Sequence, residues 1–531
     1  MPRSVDALRS AWPRVWPALV PLVLLSVVYG RTVQRSTGNT FSVDTTKFDY
    51  LGRVLGTAHP PGYPLYTMLD AAVVRLVPAG SVALRANLLS SVFAVLTCVV
   101  MASVLQHLGV GRLLAAGGAT ATGLLLPFWR YAVIAEVYTL TALFLVGVLA
   151  CVVIFETTGR RGWLRVGVLV FAFSFSHATS NVLLVPGLLL YLALSGPTWL
   201  LRPRELGPLL AAGALLGLAP YAYLPWRTAV GGSTYLDSEV TDLSSFWAVI
   251  TAQRFTGEMF GVPPAVVWHQ RLPELSAVAL STFGPLLLVA AVGLVLLLRS
   301  RPRIGAMTLA WTVATTVFVL CYRVTDWPTM LLPVWILVAV WTVVGLDRLT
   351  RASRRPGRVL AVLVAVALPV AAGATGYRQA DRSAVDQQPD VDAALAVVSD
   401  NSIIFTPNNG TRHLFSYRLL PDGLGVRRNV WVSRGQGGDF RADPFSYRIR
   451  EYCAPEPGPW VWARQERAIA PSVARGLHTY VFGTRYARQV RAEGFRVRNV
   501  SGKLYLLECP PPPPPPPPSL PVPRPRVPPG R

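Results

Sequence analysis

Eleven stretches of this 531-residue chain are apolar for long enough to cross a lipid bilayer. A crossing helix needs roughly 17–25 largely apolar residues. The runs centre on residues 13–30, 83–106, 112–128, 136–155, 163–177, 179–196, 207–225, 275–298, 305–321, 328–346 and 359–376. The fifth and sixth form one long run broken near His177. Hydrocarbon offers no water to unpaired backbone groups, so such runs must be helical. Composition agrees: 52% of residues are hydrophobic and 15% charged, where a soluble domain carries about 25% charged residues. A cytosolic enzyme and a disordered protein are both excluded. The sequence predicts a polytopic α-helical membrane protein of about eleven spans.

Charge sets the sidedness. The chain carries a formal +23, with 50 basic and 27 acidic residues. Such an excess suits nucleic acid, but the apolar content turns the reading towards a membrane and away from a nucleic-acid partner. Short cytoplasmic loops are enriched in Lys and Arg. The basic clusters are Arg3/Arg9/Arg14, Arg112, Arg160/Arg161/Arg165, Arg202/Arg204, Arg299/Arg301/Arg303 and the group from Arg348 to Arg358. With eleven spans all six fall on the side of the N-terminus. That side then holds 17 basic and 4 acidic residues, so much of the net charge is an orientation signal. The expectation is an integral protein of a bacterial plasma membrane, with a cytoplasmic N-terminus and a retained first span. Loops 31–82 and 226–274, and everything after residue 377, then lie outside. Trp129, Tyr131, Trp226 and Trp327 fall near outer span ends, as interfacial aromatics do.

Residues 1–376 thus read as a transmembrane domain and 377–509 as a small extracytoplasmic α/β domain. Strand-like runs lie at Ser402–Phe405, Asn429–Val432, Thr479–Phe482 and Leu504–Leu507, with helical patterns near 390–399 and 485–493. Cys453 and Cys509 both fall there, free or bridged. No Cys/His cluster suggests a metal site. Residues 510–531 are a proline-rich tail, and Pro510–Pro518 should form a stiff rod of roughly 28 Å.

Ionisable residues near a membrane are costly and often functional. Here they gather on the expected outer side. The first outer loop carries Asp44, Lys47, Asp49 and the block His59-Pro60-Pro61-Gly62-Tyr63-Pro64. Three prolines and a glycine in six positions forbid a regular helix or strand and predict a rigid, shaped loop. Further groups are Arg130 with Glu136, Ser176-His177, Arg227, Arg254 before Glu258, and Arg323 with Asp326. Each has a structural alternative. Asp44 serves equally as a helix cap, Glu136 as a helix-pairing ion, His59 as a turn cap and His177 as a packing residue. The arginines serve equally as interfacial anchors.

The segment Asp44–Leu89 resembles the signature region of the membrane family called domain of unknown function 2723. That family places an Asp-Ser/Thr-Gly-Glu element fifteen residues before His-Pro-Pro-Gly-Tyr-Pro-Leu-Tyr. Here Asp44 precedes His59 by fifteen residues, and His59–Tyr66 reads HPPGYPLY. Arg85-Ala86-Asn87-Leu88-Leu89-Ser90 and Ala135-Glu136-Val137-Tyr138 resemble further family elements. The resemblance implies a fold like the glycosyltransferase C superfamily and an activity like protein O-mannosyltransferase. It assigns the catalytic acid to Asp44, with Glu136 organising the site. The sequence departs at Lys47, which stands where the family has Glu.

The expected reaction is transfer of a sugar, mannose by analogy, from a polyprenyl-phosphate donor to a hydroxyl on a protein or glycan acceptor. No cofactor or metal is expected. A carboxylate would take the hydroxyl proton, and cationic side chains would hold the leaving phosphate. Lys47, Arg254 and Arg227 are the first candidates for the phosphate. Asp49, His59, Tyr63, Arg130, His177 and Arg323 complete the candidate substrate-binding set. Two other classes remain. A transporter or flippase would show internal repeats and matched broken spans, and none is visible. A non-catalytic envelope scaffold would be consistent with the charge reversal at Lys47.

Overall fold

A computed structural model describes residues 2–38, 41–42, 44–200, 202–230, 235–352, 357–419, 430–434 and 478–508. Two compact units divide the chain. One is Met1–Val391 with His413–Val426, the other Asp392–Arg412 with Arg427–Arg531.

The first unit is helical. Among the described residues seven helices are long and apolar enough to cross a membrane, or eight if one bent pair counts as a span. The protein is an integral membrane protein. All eleven apolar runs are helical for most of their length, but several are short. Arg112–Gly123 is 12 residues and Arg161–Ser174 is 14, about 18 and 21 Å at 1.5 Å per residue. The run 275–298 is interrupted at Gly284, where helices Pro264–Phe283 and Leu286–Ser300 meet at 92°. Gly284 there has φ +51°. Leu286–Ser300 packs along Leu332–Ala352. A Cβ on Gly293 would collide with the Trp341 carbonyl, so the two backbones touch as small residues allow.

The N-terminal part frames the candidate site. Helix α1 (Pro2–Thr32) is followed by α2 (Thr45–Val54), α3 (Pro64–Leu76), α4 (Val82–His107), α5 (Arg112–Gly123), α6 (Leu126–Ala132) and α7 (Tyr138–Thr158). α4 packs against α1, α5 and α7. α2 ends where Leu55 turns left-handed, at φ +52°, and the His59–Pro64 block lies between it and α3. Gly62 at φ +90° and Tyr63 at φ +43° turn the chain, and Pro64 opens α3 where no amide is needed. Gly52 lies against Asp70, whose Oδ2 accepts from its amide at 2.9 Å. Arg75 donates to the carbonyls of Gly52 and Arg53, satisfying the end of α2.

The second unit contains a five-stranded sheet in the order β2-β1-β3-β5-β4. The strands are β1 (Ser402–Thr406), β2 (Val430–Arg434), β3 (His478–Phe482), β4 (Arg496–Ser501) and β5 (Leu504–Glu508). β1 runs parallel to β2 and β3, while β5 is antiparallel to β3 and β4. Ile403, Phe405, Val481, Tyr486, Val490 and Leu507 form its core. Four strands coincide with the apolar runs in the sequence. β4 has no such run: it is an edge strand that buries only Val497. Cys453, Cys509 and the polyproline run lie outside the described residues.

Candidate active site

Asp44 stands immediately before α2, and its carbonyl accepts from the amides of Lys47 and Phe48. One helical turn on, the Lys47 side chain folds back. Its Nζ lies 2.8 Å from Asp44 Oδ1 and 2.7 Å from His59 Nδ1. Lys47 is buried, with 1% of its surface exposed, while a third of the Asp44 side chain remains open. The second Asp44 oxygen is 3.9 Å from His59 Nδ1. An ammonium has donors and no acceptor. His59 Nδ1 therefore accepts, and a neutral His59 carries its proton on Nε2.

The electrostatics follow from this geometry. Burial alone would raise the Asp44 pKa, but Lys47, then His59, outweigh it and hold the carboxyl well below the usual carboxylate range. Burial, reinforced by Lys47 and opposed by Asp44, lowers His59 to about 4. Glu136 lies just ahead of α7, and Thr45 Oγ1 approaches its Oε1 at 3.4 Å. Burial first, then Asp44, raises it to about 8. Asp326, which accepts from Tyr138 at 3.4 Å, is raised by burial and by Asp44. Asp44, in contact with the buried ammonium, is thus kept ionised, while burial raises the other two carboxyl groups.

Two anchors fix the site. Thr57 pairs with the strand-like segment 235–238: its amide donates to Tyr235, its carbonyl accepts from Asp237, and its hydroxyl donates to Ser238. That fastens the start of the proline block. Asn87 and Ser90, one turn apart on α4, fasten the other side. Asn87 Oδ1 accepts from the Ala135 amide while its Nδ2 donates to the Gln34 carbonyl. Ser90 Oγ accepts from the Glu136 amide at 3.0 Å and donates to the Glu136 carbonyl at 3.1 Å. Arg85 donates to the carbonyls of Val74 and Val77 at the end of α3. The polar residues of the Arg-x-Asn-Leu-Leu-Ser element are therefore supports.

The structure brings together Asp44, Lys47, His59 and Tyr63, whose ring lies 5.3 Å from His59, with Glu136 adjoining through Thr45. Arg254 approaches from the rim. Phe255 meets the His59 ring edge-on at 6.0 Å, and Arg254 pairs with Asp237 at 3.4 Å. Beside it an open cleft of about 360 Å³ is lined by Pro60, Glu239, Val249, Gln253 and Arg254, among others.

The other candidates are placed elsewhere. Asp49 is fully buried, and burial followed by Asp70 and Glu136 raises its pKa well above normal, despite the Thr37 hydroxyl. His177 packs against Tyr63, Tyr66 and Phe144, with Nε2 near Thr141 and the Val137 carbonyl. Arg227 is buried and donates to the Leu55 carbonyl at 2.7 Å. Arg323 pairs with Glu258. Arg130 lies over Phe41. Thr45 belongs to the site but carried no signal in the sequence, while Tyr138 and Asp326, each noted there within a local group, join it through their mutual hydrogen bond. Among the described residues no group of three or more His, Cys, Asp or Glu is placed to hold a metal ion.

Comparison with known proteins gives two kinds of likeness. Residues 44–199 match the family described as Protein O-mannosyl-transferase TMEM260 N-terminal domain. The chain is 34% identical over 204 residues to mouse (Mus musculus) Protein O-mannosyl-transferase TMEM260. That match covers 36% of this chain and spans 28% of the mouse protein. The fold is similar to ArnT from Cupriavidus metallidurans. The undecaprenyl phosphate-bound crystal structure gives a TM-score of 0.58 at 14% identity, covering 92% of this chain and 97% of that one. The apo structure gives 0.54 at 15% identity, covering 93% and 97%. At these identities the likeness is one of fold: a polytopic helical architecture similar to that of ArnT.

Proposed function

We propose that this protein is a membrane glycosyltransferase that moves a sugar from a polyprenyl-phosphate donor to a hydroxyl acceptor, with Asp44 as the general base. Mannose is the favoured sugar, and a protein or glycan the acceptor. The reaction would take place on the extracytoplasmic face of a plasma membrane, opposite the N-terminus. The observation that carries this reading is the ionised Asp44 carboxylate, held by a buried ammonium beside the rigid His59 loop. It lies within the segment similar to protein O-mannosyl-transferases.

In the proposed reaction the acceptor oxygen bonds to the anomeric carbon as its proton passes to Asp44. The bond from that carbon to the phosphate oxygen breaks, and its electron pair leaves with the phosphate. A preorganised cation stabilises that developing charge. In the resting arrangement Lys47 makes Asp44 a weak base, and base strength governs proton transfer. A donor phosphate would compete with Asp44 for Lys47. As the ammonium shifts to the phosphate, the carboxylate gains basicity beside the bound acceptor. Glu136, raised to about 8 and so largely protonated at neutral pH, would organise the pocket without adding negative charge near the phosphate.

The test supplies purified protein with polyprenyl-phosphate sugars and membrane-derived acceptors, alongside Asp44→Asn. Wild type is expected to transfer sugar and the variant to lose at least about 100-fold, the scale of a lost general base. No transfer by wild type, or equal transfer by the variant, removes the catalytic reading.

A further inference from the structure

Four arginines were candidates for holding an anion, and three are committed within the protein. Arg254 faces Asp237, Arg227 faces the Leu55 carbonyl, and Arg323 faces Glu258. Arg130 is different. Its Nε is buried with no hydrogen-bond partner, and its Cζ lies 5.0 Å from the centre of the Phe41 ring.

A second guanidinium shares that ring. Arg382 Cζ lies 3.7 Å from the Phe41 centroid, and its Nε is also buried without a partner. Its two terminal nitrogens donate to the carbonyls of Asp381 and Gln379. The nearby Asp381 carboxylate accepts from the Ser383 amide through Oδ1. Two like charges on one ring repel each other, and among the described residues neither makes a salt bridge, although the Asp381 charge acts on Arg382 from nearby. Burial, then Arg130, lowers the proton affinity of Arg382.

The position points to a ligand class. The span Val15–Thr32 ends beside this pair, because the Arg382 amide donates to the Thr32 carbonyl at 2.9 Å. The span Gly357–Ala380 ends two residues before Arg382. Trp129, next to Arg130, donates to the Thr32 hydroxyl. Only 28% and 11% of those two spans is buried in the protein, so both border lipid. The pair therefore stands where a bilayer passes from tails to headgroups. Guanidinium forks match phosphate oxygens two at a time.

We propose that Arg130 and Arg382, aligned by Phe41, form a site for the phosphate of a membrane lipid. The lipid is a phospholipid headgroup or a polyprenyl phosphate, and the oxyanion chemistry is common to both. This site goes beyond the proposed transfer reaction, since it is built on Arg130, Phe41 and Arg382 and uses neither Asp44 nor Lys47.

Calorimetry on the full chain in a neutral detergent would test the site with dodecyl phosphate, dihexanoyl phosphatidylglycerol and inorganic phosphate. Binding is measured in wild type and in a Lys47→Met background, which removes the ammonium proposed to hold the donor phosphate; a site that persists there belongs to the Arg130–Arg382 pair, so a failure of the catalytic reading leaves this one standing. Arg130→Gln and Arg382→Gln should each weaken binding about tenfold, the loss of one charged hydrogen bond. Phe41→Leu, which keeps both charges, should weaken it several-fold and guards against misfolding of the charge variants. Preference for dodecyl phosphate over the phosphodiester assigns the site to a polyprenyl-type monoester, and the reverse to bulk phospholipid. Equal affinity for inorganic phosphate overturns the lipid assignment. Equal binding by wild type and all three variants at the pair overturns the site.

Discussion

Lys47 Nζ sits 2.7 Å from His59 Nδ1, and that single contact decides the tautomer of the imidazole. The ammonium cannot accept, so the imidazole must, and the imidazole stays neutral because a second cation there would face the first.

Histidine NMR checks this directly. In wild type His59 should remain the Nε2–H tautomer down to a pH near its lowered pKa of about 4. In Lys47→Met the transition should move up towards the ordinary value of about 6.5. A histidine whose folded pKa is depressed binds fewer protons than the unfolded chain between those values. Its contribution to stability is therefore full above about 6.5 and falls as the pH drops towards 4. An unchanged His59 titration in Lys47→Met would show that Lys47 does not set it.

Glu136 titrates in the opposite sense. Its folded pKa, raised by burial to about 8, exceeds the ordinary carboxyl value of 4.5. The folded state holds the extra proton between those values, so the contribution to stability is present below 4.5 and declines as pH rises to 8. Glu136→Gln should remove that decline, and melting temperature measured from pH 5 to 8 should flatten relative to wild type.

Asn87 satisfies an amide and a carbonyl at once, both buried. Asn87→Leu should cost about 2–4 kcal/mol by leaving two backbone groups unpaired. Ser90→Ala should cost about 1–3 kcal/mol for the same reason at Glu136. Denaturation in detergent gives the ranking, and equal stability of Asn87→Leu and wild type would refute the anchoring role.

Arg254 and Arg227 should separate sharply. The Arg254 pair is 3.4 Å long with 59% of the arginine side chain exposed, so Arg254→Ala should change stability by less than about 1 kcal/mol. Arg227 is 6% exposed and serves the Leu55 carbonyl, so Arg227→Ala should cost about 1–3 kcal/mol. Thermal unfolding of both variants under one condition provides the comparison.

The helical architecture was legible because bilayer solvation imposes a long, coarse pattern, and each apolar run became helix. Crossings were less legible than runs. Hydropathy over 275–298 does not register a right-angle turn at one glycine, nor does it separate a 14-residue helix from a full span. At the site, the HPPGYP block announced itself through backbone chemistry, and Asp44 and His59 proved to be neighbours. The roles of Asn87 and Ser90 were opaque, since their partners are backbone groups near residue 135 that carry no side-chain signature. Asp49, four residues on from the start of α2 at Thr45, turned inward because helical periodicity rotates it away from Asp44. The pairing of Arg130 with Arg382 joins positions 252 residues apart, beyond any local pattern.

A helix that turns through 92° cannot keep both arms along the membrane normal. With Leu286–Ser300 packed along Leu332–Ala352, the Pro264–Phe283 arm turns away from the direction of that span. Trp268 and Leu280 are 68% and 61% exposed on it, apolar surfaces suited to acyl chains. For the lipid-linked donor proposed above, such an arm would be a sill past which the hydrocarbon tail slides without being lifted into water.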